Sequence, residues 1–250
     1  MRPFRYSDYE TRLTDSEYIR MLQRPRVQFF KGCKTVLDLA CGPGIFLELL
    51  KEAGIEALGV DRDEKIVEKA RLKDLNVLQA DLFDYLEEVK QEYDGIFCSH
   101  ILEHLPFHRV VRSIELMTGR LSPGGKAVFV LPNPGSIRLH LFGFWRDPEH
   151  VRFYTGNLIA SVCQHYGLRV EYSNEEETPH LLETPRMEPV SMPPLNPLWS
   201  LFSTRRRRLD TLLQEMNRKI EEHNRKMDKL TEVINKVWSR DDEVVLVARK

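Results

Sequence analysis

The sequence lacks the features expected of a membrane-spanning or disulfide-bonded protein. No apolar run approaches the roughly 20 residues that a membrane-spanning helix requires. The opening segment MRPFRYSDYETR is charged and aromatic rather than an apolar signal segment. The 250 residues contain four cysteines, and none of them has the C-x-x-C spacing of redox and zinc motifs. We therefore expect a cytoplasmic protein with reduced thiols.

The chain also lacks a strong net charge. Its formal charge of −1 creates no overall field for a polyanion, so we expect no nucleic-acid partner. The charge is nevertheless uneven, because 13 Lys/Arg stand against 9 Asp/Glu from Ser200 onward. This basic part begins with four consecutive arginines at 205–208.

Strand-like and helix-like runs alternate along most of the chain. The strand-like runs are TVLDLA, EALGVD, NVLQAD, YDGIFCSH, KAVFVLP, LRVEY and DDEVVLVARK. Helix-like runs separate the first six, and SPGG before the fifth is typical of a turn. Such alternation predicts a doubly wound α/β fold with a mostly parallel sheet. In such sheets, ligands bind beyond the carboxyl ends of the strands.

Two segments depart from this alternation. Residues 174–203 contain six prolines and predict an extended connection. Across 205–238, apolar residues and one histidine recur in steps of four and three from Leu209 to Val237, which is a heptad seam. We expect one domain made of residues 1–173 and 241–250, and an insertion at 174–240. The seam predicts a coiled coil that forms a homodimer through 205–238, with folding back onto the sheet as the alternative.

The segment VLDLACGPGIFLELL contains a tight glycine turn after the first strand. A dinucleotide fingerprint needs G-x-G-x-x-G, but Leu47 stands where the third glycine would follow Gly42 and Gly44. The Walker pattern is absent as well. The turn therefore does not indicate a pyrophosphate site, which disfavours a nicotinamide oxidoreductase.

Three acidic residues stand at strand ends near this turn. Asp61 follows Gly42 by 19 residues, where a carboxylate accepts ribose hydroxyls, and Asp81 ends the third strand, where it accepts an adenine amino group. Asp38 lies at the end of the first strand, where a carboxylate repels phosphate and suits a cationic amino group. Together they favour a nucleoside that carries a positively charged methionine.

At these residues the sequence resembles class I S-adenosylmethionine-dependent methyltransferases. VLDLACGPG resembles their first motif, GVDRD the ribose-binding acid and VLQADLFDYL the adenine-binding segment. The resemblance implies a Rossmann-like, seven-stranded sheet with an antiparallel last strand, and S-adenosyl-L-methionine as cofactor with S-adenosyl-L-homocysteine as product. The residues it implies for cofactor binding are Asp38, Ala40, Cys41, Gly42, Gly44, Asp61, Arg62, Asp81, Leu82 and Ser99.

A narrower resemblance concerns the acceptor. The segment from YSDYETR to DLACG and the later DPEHVRFYT are similar to methyltransferases of O-antigen and related glycan assembly. That group usually has Gly at the positions of Ala40 and Cys41, and often Gln at His100. The resemblance implies O-methylation of a glycan or lipid-linked sugar. A small-molecule, quinone-type O-methyltransferase is the alternative, and a non-catalytic coiled-coil scaffold on a cofactor-binding domain is another.

The segment HILEH and the later His150 are the candidates for acceptor chemistry. His104 or His150, oriented by Glu103, is the candidate base, and His100 stands beside them. The equally weighted alternative is that Glu103 and His104 have no role in the chemistry and serve to cap and pack the next helix. A divalent metal is open but not favoured, although H-x-x-E-H with a distant His resembles the metal-binding pattern of small-RNA 3′-end methyltransferases. Arg146, Arg152 and Tyr154 are candidate substrate-binding residues.

Two apolar-aromatic segments suggest contact with lipid. Trp199, Leu201 and Phe202 directly precede the four arginines, a composition suited to an anionic membrane surface. Residues 138–146, RLHLFGFWR, form a similar segment near the expected cleft. We expect peripheral contact with the inner face of the membrane if the acceptor is lipid-linked. The alternative is that the aromatic residues pack on their own domain.

Overall fold

The computed structural model describes residues 16–177, 181–191 and 204–250. The chain divides into two compact units, Met1–Glu177 with Asp241–Lys250, and Thr178–Arg240. Between them the units hold seven α-helices in the described residues: α1 Ser16–Gln23, α2 Ile45–Glu52, α3 Glu64–Arg71, α4 Leu82–Glu88, α5 Phe107–Arg120, α6 Gly156–His165 and α7 Thr204–Trp238. The strands are β1 Thr35–Leu39, β2 Glu56–Asp61, β3 Val77–Gln79, β4 Tyr93–Ser99, β5 Leu121–Pro132, β6 Arg169–Ser173 and β7 Glu243–Arg249.

All seven strands form one sheet in the order β3-β2-β1-β4-β5-β7-β6. The first five strands pair in parallel, whereas β7 is antiparallel to both β5 and β6. The predicted doubly wound, mostly parallel sheet with an antiparallel last strand is confirmed. The order reverses between β1 and β4, which is the switch point where a ligand is expected.

Local signals explain where the helices begin and end. Asp63 caps α3 by accepting from the backbone N–H groups of Lys65 and Ile66, and Thr155 caps α6 by accepting from Leu158 N–H. Gly54 follows α2 with φ +72°, the left-handed conformation expected of a C-terminal glycine. The apolar faces of these helices cover the central strands, whose side chains are almost fully buried.

The structure corrects two boundaries predicted from the sequence. The fifth strand begins before SPGG, at Leu121, and SPGG interrupts it: Tyr93 pairs with Leu121 and Gly95 with Lys126, so residues 122–125 have no partner in β4, and Gly124 has φ +79°. Residues 174 and 175 belong to the first unit rather than to an extended connection. Asn174 exchanges hydrogen bonds with the backbone of β7, and the Glu175 carboxylate accepts from Gly156 N and Asn157 N, both at 2.8 Å.

The second unit consists of α7 and an extended segment, residues 181–191, which we call the strap. Each of three α7 asparagines bonds both the N–H and the C=O of one strap residue: Asn235 pairs with Leu182, Asn224 with Met187 and Asn217 with Val190. The six distances lie between 2.8 and 3.0 Å. The side-chain amides thus replace the strand neighbour that an extended backbone otherwise needs.

The predicted heptad seam is unevenly covered. Ile220 is buried and Leu213 and Met227 are half-buried, whereas Leu209, Met216, Leu230 and Ile234 are exposed. The side chain of Val237 lies outside the described residues, as do Trp199, Leu201 and Phe202. No helix in the described ranges is both long and apolar enough to cross a membrane.

Candidate active site

A cavity of about 660 Å³ lies at the carboxyl ends of β1, β2, β3 and β4. Eight of the predicted site residues line it: Ala40, Gly42, Asp61, Arg62, Asp81, Leu82, His100 and His104. Lining residues that the sequence did not single out include Phe83, Ile101, Leu105, Arg109 and Glu149. The cavity is large enough for a ligand of nucleoside size.

The glycine turn brings bare backbone to one wall of the cavity. Ala40, Gly42 and Gly44 adopt φ values of +54°, +53° and +80°. The positive φ at Gly44 favours glycine, and a Cβ there would lie 2.5 Å from Leu75 Cδ1, so that a larger residue would also have to displace this side chain. Ala40 carries the conformational cost of a left-handed residue at a place where glycine would not.

Asp61 ties the turn to the end of β2. Its Oδ2 accepts from Gly42 N and its Oδ1 from Asp63 N, both at 2.9 Å. Burial raises the pKa of Asp61, while these two backbone N–H groups lower it. The carboxylate therefore lies at the cavity wall with its orientation fixed.

Asp38 and Cys41 lie behind the lining residues rather than among them. Asp38 is 3% exposed, and its pKa is raised well above 3.8 by burial and by the neighbouring charge of Asp61. Burial also raises the pKa of the Cys41 thiol, which therefore stays protonated. A Cβ on Gly59 of β2 would lie 2.6 Å from Cys41 Sγ, so Cys41 fills the space between the turn and β2.

The start of α4 forms an apolar part of the cavity. Asp81 caps this helix by accepting from Phe83 N at 2.8 Å, which places Leu82 and Phe83 in the wall. The Arg109 guanidinium lies 4.0 Å from the centre of the Phe83 ring. At the rim, Arg62 Nη2 is 3.0 Å from Glu149 Oε2.

His100 joins two carboxylates at the end of β4. Its Nδ1 lies 3.2 Å from Glu103 Oε1 and its Nε2 lies 2.9 Å from Glu243 Oε1, while Arg26 Nη2 is 3.0 Å from the other Glu243 oxygen. Burial lowers the pKa of His100, but the two carboxylates outweigh it and raise the pKa to about 10. His100 is therefore a cation at neutral pH, although 43% of its side chain is exposed. Because a protonated imidazole has no lone pair to accept a proton or bind a metal ion, this charge state favours a structural role for His100 over that of a base or a metal ligand.

Glu103, His104 and His150 form a second polar group beside the cavity. Their ligand-type atoms all lie within 4.8 Å of one another, and the two imidazole rings are 4.7 Å apart. Burial, with His150 adding to it, lowers the pKa of His104 against the opposing effect of Glu103, so its imidazole is neutral at pH 7. His150 Nδ1 donates to the Phe144 carbonyl at 2.6 Å. Glu103 Oε2 is buried without a hydrogen-bond partner among the described residues.

The remaining predicted residues lie away from the cavity lining. Tyr154 is a core residue, 1% exposed, whose hydroxyl donates to the Leu105 carbonyl at 2.6 Å. Arg152 is exposed and lies over the Tyr154 ring, and Arg146 is also exposed. Ser99 is half-buried at the end of β4. The structure thus gives Tyr154 a packing position rather than an acceptor-facing one.

A family model described as a methyltransferase domain matches residues 10–173. The chain therefore belongs to this family and is an enzyme of the methyltransferase class. The prediction of an S-adenosylmethionine-dependent methyltransferase is confirmed at this level.

Curated relatives include the ubiquinone biosynthesis O-methyltransferases of Vibrio vulnificus (strain YJ016) and Proteus mirabilis (strain HI4320). The first is 34% identical over 116 residues, 44% of this chain and 48% of the relative. The second is 34% identical over 103 residues, 38% of this chain and 41% of the relative. The chain thus matches about half the length of these relatives.

The fold recurs in solved structures. A SAM dependent methyltransferase from Archaeoglobus fulgidus is 25% identical with a TM-score of 0.70, over 99% of this chain and 100% of that one. This match includes the second unit as well as the sheet. An S-adenosylmethionine dependent methyltransferase from Mesorhizobium loti shares the fold, with a TM-score of 0.51 and 19% identity over 88% of this chain and 91% of that one.

Proposed function

We propose that this enzyme methylates a hydroxyl group of a small apolar acceptor, with a quinone-type phenol as the leading class. The observation that carries the proposal is the position of His104, whose side chain lines the cavity and has a ring nitrogen within 4.8 Å of a carboxylate oxygen of the buried Glu103. A phenolic or alcoholic oxygen must lose its proton during transfer, and a neutral imidazole is suited to accept it.

The cavity residues fit the cofactor. Asp61, fixed at the cavity wall by Gly42 N, would accept the ribose hydroxyls, and Leu82 and Phe83 would offer apolar surface to a purine. An ammonium group beside Asp38 would stabilise the ionised carboxylate that burial disfavours. Bound there, S-adenosylmethionine supplies a methyl carbon activated by its sulfonium.

The protein contributes alignment and proton transfer. His104 would accept the proton that the acceptor hydroxyl gives up as its oxygen takes the methyl group that the bound cofactor would supply. Glu103 would stabilise the imidazolium that forms, because a carboxylate oxygen of Glu103 lies within 4.8 Å of a His104 ring nitrogen and its Oε2 has no hydrogen-bond partner among the described residues. His150 is fixed by the Phe144 carbonyl and packs edge-on against His104, which limits the orientations of that ring.

The relatives favour a quinone-type acceptor over the glycan suggested by the sequence, because the ones named above are ubiquinone O-methyltransferases. An apolar surface next to His150 supports a hydrophobic acceptor. Trp145, Leu141 and Val151 are 65%, 57% and 50% exposed. Such a surface would accommodate a lipid tail and support peripheral membrane contact.

Acceptor profiling with methyl-labelled cofactor tests the proposal. We expect label transfer to an ortho-dihydroxybenzene that carries a prenyl tail, and weaker transfer to the same ring without a tail. A saccharide or a lipid-linked sugar is the comparison substrate. Transfer to the sugar alone would overturn the quinone-type assignment and restore the glycan.

A divalent cation at Glu103, His104 and His150 is a second way to activate the hydroxyl. The specific observations are that a Glu103 carboxylate oxygen and one ring nitrogen of each imidazole lie within 4.8 Å of one another, and that Glu103 Oε2 is buried without a hydrogen-bond partner among the described residues. Activity measured after chelation and after addition of Mg²⁺, Mn²⁺ or Zn²⁺ distinguishes a His104 base from a bound cation. Full activity in chelator supports the base; loss that one ion restores supports the cation.

A further inference from the structure

The helix α7 presents an exposed apolar stripe that the strap leaves uncovered. We define the α7 stripe as Leu209, Leu212, Met216, His223, Leu230, Ile234 and Trp238. At 100° per residue these seven positions fall within a narrow arc of the helix. The six apolar members are each between 40% and 56% exposed.

The strap occupies a different face of the helix. Asn217, Asn224 and Asn235 lie about 85–105° around the helix from the centre of the stripe. Because these asparagines hold the strap, the second unit covers only one side of the predicted heptad seam. The side that contains Leu209, Met216 and Leu230 stays open.

The stripe supplies more than half of the area that each partner contributes to a standard interface. Six large side chains at about half exposure present on the order of 500 Å² of apolar surface, against roughly 800 Å² per partner in a standard interface. This value is near the upper end of what one patch on a monomer exposes. Two basic residues that border the stripe are neutralised within the helix, since Lys219 pairs with Glu215 at 3.3 Å and Lys226 with Glu222 at 2.9 Å.

The order of residues in the stripe is symmetric about His223. Met216 and Leu230 are each seven residues away, and Leu212 and Ile234 are each eleven away. Leu209 and Trp238 lie fourteen and fifteen residues away. A stripe that repeats in both directions from its centre is self-complementary under a two-fold axis that reverses the helix direction.

We infer that the α7 stripe binds a second copy of this chain in an antiparallel helix pair. Met216 then meets the partner's Leu230, Leu212 meets the partner's Ile234, and the two His223 side chains lie near the axis.

Charge selects the antiparallel direction. A parallel pair would bring together the two runs of four arginines at 205–208, at helix ends that are already positive. An antiparallel pair separates these runs by about 50 Å, the length of a 35-residue helix, and places each beside the negative end of the partner helix.

Molar mass measured by light scattering during size-exclusion chromatography tests association. We expect the full chain to have twice its monomer mass of 29.4 kDa at micromolar concentration. The double variant Met216→Glu/Leu230→Glu should be monomeric. Leu72→Glu, which introduces the same charge at a leucine that is 88% exposed in the other unit, should remain dimeric. Circular dichroism and cofactor binding establish that each variant is folded.

Disulfide trapping tests the direction of the pair. In a Cys33→Ser background, Leu212→Cys mixed with Ile234→Cys should form a cross-linked dimer, whereas neither variant alone should do so. Self-linked dimers of each single variant would overturn the antiparallel arrangement. A wild-type monomer, including one that binds anionic vesicles, or a double variant that stays dimeric would overturn the inference that the stripe binds a second copy.

Discussion

At the scale of single residues, the site depends on carboxyl and imidazole groups whose charge states are set by burial. Asp38 and His104 are both shifted towards their neutral forms by desolvation, whereas His100 is held charged by two carboxylates. Asp38 lies where we propose that the cofactor ammonium binds, and His104 is the proposed proton acceptor. The charged His100 instead joins Glu103 to Glu243 of β7.

Asp61→Ala should weaken cofactor binding by about 1–3 kcal/mol, because the variant would lose the two charge-assisted hydrogen bonds that we propose between this carboxylate and the ribose. Isothermal titration calorimetry with S-adenosylhomocysteine measures the change. Asp84→Ala, at an exposed carboxylate of α4, is the control and should bind normally. Unchanged affinity in Asp61→Ala would place the ribose elsewhere.

His104→Ala should lower kcat about 10²- to 10⁴-fold while cofactor affinity is retained. In the wild type, the base form of His104 exists above its pKa, which lies below 6.5. The rate should therefore be constant near neutral pH and decline only below that value, and the variant should lack this decline. His108→Ala, an exposed histidine of α5, is the control. Equal activity and equal pH profiles in both variants would exclude His104 as the base.

Several cavity residues could be predicted from the sequence because they stand at strand ends, and the strands are recognisable from their apolar runs. A glycine turn after β1 and acids at the ends of β2 and β3 must meet at one edge of a parallel sheet. Phe83, Arg109 and Glu149 could not be predicted this way. They come from helix starts and a loop, and their approach to the cavity depends on packing distances that have no local sequence signal.

At the scale of elements, the strap shows an extended backbone satisfied by side chains instead of by a strand. Asparagines on a polar helix surface normally indicate only solvation, so the sequence predicted an extended connection over residues 174–203 without its pairing to the helix. The heptad spacing predicted the long helix because apolar periodicity is directly readable. The strap covers one side of α7 because asparagine side chains bond its backbone, and apolar periodicity does not reveal such bonds.

Asn224→Leu should loosen the strap, since it removes both hydrogen bonds to Met187. At about 0.5–1.5 kcal/mol for each bond, amide hydrogen exchange at Met187 should accelerate on the order of tenfold. Gln214→Leu, at an exposed α7 position that makes no such pair with the strap, should leave the exchange unchanged. Equal exchange in both variants would show that the asparagine pairs do not hold the strap.

At the scale of the whole molecule, side chains from distant parts of the chain meet at β7. Glu243 contacts Arg26 and His100, so the end of β4 is linked to the last strand of the sheet. Asn174 likewise joins β7 through its side chain. The predicted limit of the first unit at residue 173 left out Asn174, because the acidic segment that follows, which is flanked by prolines, has the composition of a linker.

The charged His100 should make stability depend on pH. Because its pKa is raised from 6.5 to about 10, the stabilisation is fully present below pH 6.5 and is lost as the pH rises through 10. His100→Asn tolerates the φ of +52° and removes the titrating group. In thermal unfolding, the melting temperature of this variant should lie below that of the wild type at pH 6. The difference should be smaller at pH 8 and smallest at pH 10.5. A gap of constant size, or one matched by His108→Asn, would contradict this.

The placement of β7 between β5 and β6 also affects how the protein is made. About 70 residues separate β6 from β7, and at about 5–20 residues per second the ribosome needs roughly 4–14 s to synthesise them. During that interval β5 has an unpaired edge, although β1–β5 are already available to fold. A nascent chain paused within the strap or α7 would therefore present an open sheet edge to chaperones, and delivery of β7 closes it.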